Sequence, residues 1–273
     1  MREYSSVISL TKNARGVSSL DPSIGCSSGM SKQGGCYNDC YAAKSAKLYG
    51  YDFSKTVLRH FKNEAHRRDI LRQINAVNLD FIRMGTSGDP SEFWEHTIDT
   101  IKKIQHCNKQ IVIITKHWTN LTNAQLEYLG TVNVCVNTSV SALDNPDVML
   151  NGVEQYEKLK RYCRSVLRVV SADFNLETIE GRRLNDIQRR LFKNESTLDN
   201  VLRVNRRNPI VKSGLLKTKQ VKFLGKTALV SKFDKKTYLG NCSKCHEVCG
   251  LRTEIPNKQY PEKRGTSKQL SLL

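Results

Sequence analysis

Acidic residues are scarce in this chain: 26 Asp and Glu stand against 44 Lys and Arg, a formal charge of +18 at pH 7. That shortage makes a polyanion the leading partner, because each phosphate neutralised by Lys or Arg releases condensed counterions. A generally basic, solvated surface is the plain alternative, and charge alone does not separate DNA from RNA. Long apolar runs are also missing, which excludes a membrane-spanning helix. The opening residues MREYSSVISLTKNARG contain no apolar core of the signal-peptide kind, so a cytoplasmic protein is expected. Its nine cysteines are then expected to be reduced, and disulfides give way to metal ligation. No internal repeat stands out. A chain of 273 residues can bury one large α/β core with a small appendage.

What is present begins with three cysteines on one glycine-rich stretch, Cys26, Cys36 and Cys40, with Gly25, Gly29, Gly34 and Gly35 among them. Three soft thiolates on a flexible loop can hold three irons of a cubane cluster and leave the fourth open for a substrate or cofactor. Glycine lets such a loop fold tightly around an inorganic core. Zinc is the competing reading, but zinc sites favour four ligands in closely spaced pairs, whereas the intervals here are nine and three residues. Cys107, Cys135 and Cys163 are isolated and read as small core residues.

Apolar, β-branched runs alternate with helical patterns, which predicts a parallel sheet with covering helices. Ser5–Leu10 reads as the first strand and Ser54–Asn75 as the first long helix, with apolar Val57, Leu58, Phe61, Ile70 and Ile74. The second strand, Leu79–Met84, ends in Gly85-Thr-Ser-Gly-Asp-Pro90, after which Ser91 can cap a helix running to about Gln105. Further strands are expected at Gln110–Thr115, Val132–Ser139, Ser165–Val170 and Asn200–Asn205. Val221–Leu224 and Thr227–Lys232 read as a β-hairpin around Gly225-Lys226. Polar residues follow each strand, at the end where barrel sheets build their sites. Three regions result: a partial (β/α) barrel over 1–210, a hairpin and cysteine-rich metal-binding segment over 211–257, and a tail over 258–273.

The cysteine loop and the turn after the second strand together resemble the radical S-adenosylmethionine (SAM) superfamily. The usual signature there is CxxxCxxC, and this loop departs from it at both intervals; a long first interval is tolerated in the catalytic subunit of Elongator. The closing Cys36-Tyr-Asn-Asp-Cys40-Tyr-Ala is similar to poorly characterised phage-type radical-SAM-like proteins. The resemblance implies a [4Fe–4S] cluster on Cys26, Cys36 and Cys40, SAM on the open iron, and an electron donor that starts SAM cleavage to a 5′-deoxyadenosyl radical. It implies that Gly85, Thr86, Ser87, Gly88 and Asp89 accept hydrogen bonds from the SAM amino group, which needs acceptors close to the backbone. The plain reading of that turn is a strand-to-helix connection capped by Ser91 or Asp89. By position, Asn137 and Ser139 would meet ribose or methionine groups, and Arg168 would pair with the SAM carboxylate. Lys116, His117, Ser171 and Asp173 stand at other strand ends. His117 reads as a substrate contact or as structural, and Tyr41 and Trp118 as packing or as stacking platforms.

Cys242, Cys245 and Cys249 form a second group, CxxCxxxC, suited to a structural zinc or an auxiliary iron–sulfur cluster; His246 or a distant residue would be the fourth ligand. Two basic clusters could line one groove: Lys158, Lys160, Arg161 and Arg164, and Arg203, Arg206 and Arg207. At the end, Gln269, Leu270, Ser271, Leu272 and Leu273 resemble the bacterial sliding-clamp-binding pentapeptide, with Gln269 in one pocket and Leu270, Leu272 and Leu273 in apolar subsites. The expectation is a radical-SAM-like enzyme on nucleic acid, DNA more than RNA, for base modification or lesion repair as in spore photoproduct lyase. The rival is a non-catalytic, metal-stabilised DNA-binding accessory protein recruited to the clamp.

Overall fold

The computed structural model describes residues 2–33, 36–245 and 248–251. The chain opens with an antiparallel pair, β1 (Leu10–Lys12) and β2 (Ser18–Leu20). The two-residue strands β3 (Ser23–Ile24) and β4 (Val57–Leu58) pair antiparallel, and α1 (Ser27–Gln33) and α2 (Tyr41–Leu48) lie between them in sequence. Then come α3 (Glu64–Asn75), β5 (Phe81–Met84), a 3-10 turn at Pro90–Phe93, α4 (Trp94–Ile104) and β6 (Gln110–Thr115). They are followed by α5 (Asn123–Thr131), β7 (Val134–Val140), α6 (Pro146–Leu159), β8 (Arg164–Ser171), α7 (Ile179–Leu191) and β9 (Thr197–Val204). A short α8 (Pro209–Lys212) leads to β10 (Lys219–Phe223) and β11 (Lys226–Ser231), and 3-10 turns at Cys242–Lys244 and Val248–Gly250 carry the late cysteines.

Nine strands form one sheet in the order β1-β2-β5-β6-β7-β8-β9-β11-β10. From β2 to β9 neighbours run parallel and follow chain order without reversal. When every crossover has the same hand, such an order carries all the connecting helices to one face. The packing agrees. Ile82, Met84, Ile111, Ile113, Val134 and Val136 meet Ile70 and Ile74 of α3, Ile98, Ile101 and Ile104 of α4, and Leu126 and Leu129 of α5. Val140, Leu167 and Val169 meet Tyr156 of α6 and Leu191 of α7. Each fully buried Ile or Leu here contributes about 1.5–3 kcal/mol. Among the described residues the other face has no helix of its own. It is filled instead by Phe81, Val112, Cys135, Val166 and Leu198 packing against Cys242 and Cys249 from the far end of the chain.

Several expected boundaries move. Ser5–Leu10 is not the first parallel strand; that place belongs to Ser18–Leu20, and only Leu10 enters the antiparallel edge strand β1. The helix expected from Ser54 starts at Glu64, because the Asn63 side chain accepts the amide of His66 as a cap, while β-branched Val57 joins Leu58 in β4. Asp89, not Ser91, caps the turn into α4 by accepting the Ser91 amide. The sixth parallel strand starts earlier than expected, at Thr197. Among the described residues no helix is long and apolar enough to cross a membrane.

The helix boundary can be tested directly. Asn63→Ala should lower unfolding free energy by about 1 kcal/mol, the usual cost of losing an N-cap. Denaturant unfolding checks it against Ser54→Ala, which would carry that cost only if the helix began ten residues earlier, as the periodicity suggests.

Candidate metal and cofactor site

The loop bearing Cys26, Cys36 and Cys40 lies over the C-terminal ends of the parallel strands and is tied to most of them. At its entrance Glu92 takes the Ser28 amide at 2.5 Å, the Ser27 hydroxyl at 3.1 Å and the Thr56 hydroxyl at 2.5 Å. In its middle, Lys116 Nζ, just beyond β6, donates to the Tyr37 hydroxyl at 2.8 Å and to both Asp144 oxygens at 2.8 and 2.9 Å. At its exit, beyond β9, Asn208 donates to the Tyr37 carbonyl at 2.7 Å, and Asp39 accepts the Asn205 amide at 2.5 Å. Tyr41 donates its hydroxyl to the Thr86 carbonyl. Cys36, Tyr37 and Asn38 all hold positive φ (53°, 59° and 56°), a left-handed turn for which only Asn has a natural tolerance. Such strain persists only where surrounding contacts fix the backbone.

The three thiols influence one another. Burial raises the Cys26 thiol, Asp89 and Glu92 add to the effect, the Gly29 amide opposes it, and the Cys36 charge raises it further. Cys36 is pushed up to about 12, first by burial; Lys116 pulls it down, and Cys40, Asp144 and Asp89 push it up. Lys116 is buried, which alone would lower its pKa, but Asp144, Tyr37 and Cys36 together outweigh burial and hold it above its ordinary value. The loop therefore carries one fixed cation beside its thiols. Among the described residues no three His, Cys, Asp or Glu side chains are gathered closely enough to hold one metal ion.

The Gly85–Asp89 turn is engaged within the fold. Asp21, which the sequence reading passed over, accepts the amides of Gly85, Thr86 and Ser87, each at 2.9 Å. The Thr86 carbonyl takes Tyr41, and the Ser87 carbonyl takes the Gly25 amide at 3.0 Å. Gly85 has φ +90°, and a Cβ there would land on the Ile114 carbonyl oxygen; at Gly88 it would meet the Gly25 oxygen at 2.7 Å. Asp89 accepts from the Ser91 amide and hydroxyl, the Thr115 hydroxyl at 2.7 Å and the Lys116 amide at 2.8 Å. The turn docks the cysteine loop on β5.

The remaining strand-end residues divide into two groups. His117 is buried with φ 55°, its Nε2 3.0 Å from the Thr138 hydroxyl. Burial lowers its pKa to about 3. Trp118 packs beside Cys26, whereas Tyr41 is 58 % exposed and lies outside the core. Asn137 turns to the sheet's other face and donates to the Cys249 carbonyl at 3.1 Å. Ser139 offers its carbonyl to Lys116 at 3.4 Å. Arg168 donates to Asn200 Oδ1 at 2.7 Å.

Beneath the loop, Cys242, Cys245 and Cys249 line one pocket together with Arg15, Arg83, Arg168 and Arg203. Arg83 donates through one nitrogen to Cys249 Sγ at 2.5 Å and Cys242 Sγ at 3.5 Å. Burial works against the Arg83 charge, yet the two thiols outweigh it and hold the pKa above its ordinary value. The N-terminal loop clasps this segment: Cys242 N donates to the Arg15 carbonyl at 3.0 Å, and Arg15 Nε donates to the Gly240 carbonyl at 2.9 Å. His246 and the pentapeptide Gln269–Leu273 lie outside the described residues.

The two basic clusters do not share a groove. Arg164 opens β8 and Lys158 lies in the last turn of α6, at the N-terminal edge of the sheet, whereas Arg203 lies near the end of the parallel strand β9. An eight-residue strand separates the two ends by roughly 25 Å. Asp21, Tyr37, Glu92, Asp144 and Asn208 escaped the sequence reading; Glu92 and Asp144, acidic residues just past strands in a basic chain, were the available signal. The chain matches no family model, no curated protein and no solved structure.

His117 gives a pH test. Its folded pKa lies below that of the unfolded chain, so its contribution is complete above about pH 6.5 and is lost as pH falls toward 3. Across that window the unfolded state binds one proton that the native state refuses, a slope of about 1.4 kcal/mol per pH unit. His117→Gln should remove that part of the slope in denaturant titrations at pH 6, 5 and 4; identical slopes would show that His117 charges in the folded protein.

Proposed function

We propose that this chain is a radical-SAM-like iron–sulfur enzyme acting on nucleic acid, DNA more than RNA. The observation that carries the reading is the three-cysteine loop fastened across the C-terminal ends of parallel strands, beside the buried Lys116–Asp144 pair. Sequential parallel order and one-sided helical cover support a partial (β/α) barrel, in which that end is the place for chemistry. Cys26, Cys36 and Cys40 would hold a [4Fe–4S] cluster with SAM on its open iron. When bound, that centre supplies the electron for reductive cleavage of SAM. The protein's part is to fix the loop, to exclude water with Trp118 and Tyr37, and to set a cation, Lys116, next to the thiols. The Arg-flanked late cysteines would hold a second metal, zinc or an auxiliary cluster, that pins the unhelical face of the sheet.

One observation favours the rival reading, a metal-stabilised DNA-binding accessory protein. Tyr41 and Gly25 already occupy the Thr86 and Ser87 carbonyls that a SAM amino group would use as acceptors. Anaerobic reconstitution with iron and sulfide, reduction, and assay for 5′-deoxyadenosine from SAM separate the two. Wild type should yield the nucleoside. Replacing Cys26, Cys36 and Cys40 together by Ala should abolish it and remove the cluster's absorption while leaving the metal of Cys242, Cys245 and Cys249 in place; a reconstituted cluster with no SAM turnover would favour the accessory protein.

The clamp proposal rests on Gln269–Leu273 alone. Each buried Leu anchor is worth about 1.5–3 kcal/mol before the ordering cost of the peptide, so weak to moderate affinity is expected. Deleting these five residues should abolish binding to a bacterial sliding clamp in a pull-down or titration and leave cluster assembly unchanged. Equal binding by both forms would make the match accidental.

A further inference from the structure

We infer that the arginine pocket lined by the late cysteines is an oxyanion site that receives a phosphate of the nucleic-acid substrate; this rests on the nucleic-acid part of the reading above. Arg15, Arg83, Arg168 and Arg203 converge there, and a guanidinium keeps its charge at any physiological pH. Asp199 also lines the pocket, but its oxygens are taken by the hydroxyls of Ser171 and Thr237. With protonated thiols, four cations face one carboxylate. With thiolates on a metal or an iron–sulfur core, the metal's own positive charge offsets them. In both cases positive charge is in excess.

The site is built rather than incidental. Arg83 is 6 % exposed, and its Nε has no partner among the described residues. A buried donor of that kind is costly unless a ligand satisfies it. Arg15 and Arg203 are both held over the same ring, with their guanidinium carbons 5.9 and 5.2 Å from the centre of Phe223. Stacking fixes both forks before any anion arrives, which lowers the ordering cost of binding. The mutual repulsion shows in Arg168, held down at about 10 by burial and by Arg83, Arg15 and Arg203, against the opposite pull of Cys249.

The surroundings select a polymer over a free ion. Phe223 ends β10, and exposed Lys219 and Lys226 stand on the same face of the hairpin beside β9. A phosphate in the pocket would therefore continue into a lysine track suited to the neighbouring phosphates of one backbone. Burial and the Arg15 charge hold the Arg203 guanidinium below its ordinary pKa, against the opposite pull of Tyr41 and Cys242.

The test uses the full chain without SAM. Binding of a labelled DNA oligonucleotide is followed by fluorescence anisotropy over a salt series, and thermal melting is measured in phosphate and in chloride at equal ionic strength. Wild type should be stabilised by phosphate relative to chloride. Arg203→Gln should lose that stabilisation, weaken oligonucleotide binding on the order of tenfold, and reduce the slope of log K against log salt by about one. The double variant Lys158→Gln with Arg161→Gln removes charge at the opposite end of the sheet and should bind within about twofold of wild type. Wild-type affinity and slope in Arg203→Gln would overturn the inference, as would equal melting of wild type in phosphate and chloride, a measurement that needs no variant to fold. SAM that displaces phosphate from wild type would assign the pocket to the cofactor's carboxylate and overturn it too. No oligonucleotide binding by wild type at low salt would overturn both this inference and the nucleic-acid reading.

Discussion

The buried Lys116–Asp144 pair is the constraint on which the site depends. Two charges removed from water repay their desolvation only when their geometry is good and their remaining hydrogen-bonding capacity is used. Here the ammonium reaches both carboxylate oxygens, the Tyr37 hydroxyl and the Ser139 carbonyl, while Asp144 also takes the Ser141 amide at 2.7 Å. The pair joins the end of β6 to the turn after β7 and holds the middle of the cysteine loop down on both. Without Asp144, Lys116 would be an uncompensated charge under that loop. Without Lys116, the left-handed turn at Cys36–Asn38 would lose its central tie.

A second constraint operates on the opposite face of the sheet. Helices connecting parallel strands in simple order cover only one side, so Phe81, Val112, Val166 and Leu198 need another cover. The late cysteine segment supplies it. Placing thiols there draws in the buried cation Arg83, and Arg83 in turn makes the pocket hungry for negative charge. Packing, electrostatics and ligand preference are thus consequences of one topological choice.

Much of this was legible in the sequence. The β-branched runs at Gln110–Thr115 and Ser165–Val170 alternate with helical periodicity strongly enough to locate β6 and β8, and the hairpin around Gly225 follows from its turn residues. The first parallel strand was not legible, because Ser18–Leu20 is three residues long and takes its place from partners, not from propensity. In the site, the cysteines announced themselves by spacing. Asp21 did not, since a single acid after a short strand carries no local mark; only the fold brings it within reach of three amides more than sixty residues away. The same holds for Arg83, whose partners are supplied by a segment 159 and 166 positions later.

The clasp between Arg15 and the Gly240–Cys242 segment has a consequence for biogenesis. These contacts span 225 and more residues, so loop-closure entropy must be met before they give anything back. During synthesis from the N-terminus the strands and their helices emerge first, with one apolar side of the sheet already sealed and the other still bare. The ribosome must deliver nearly the whole described chain before that side can close. A nascent protein of this design keeps one apolar side of its sheet bare until the last cysteines arrive, and exposed surface of that kind is what makes folding intermediates prone to aggregate.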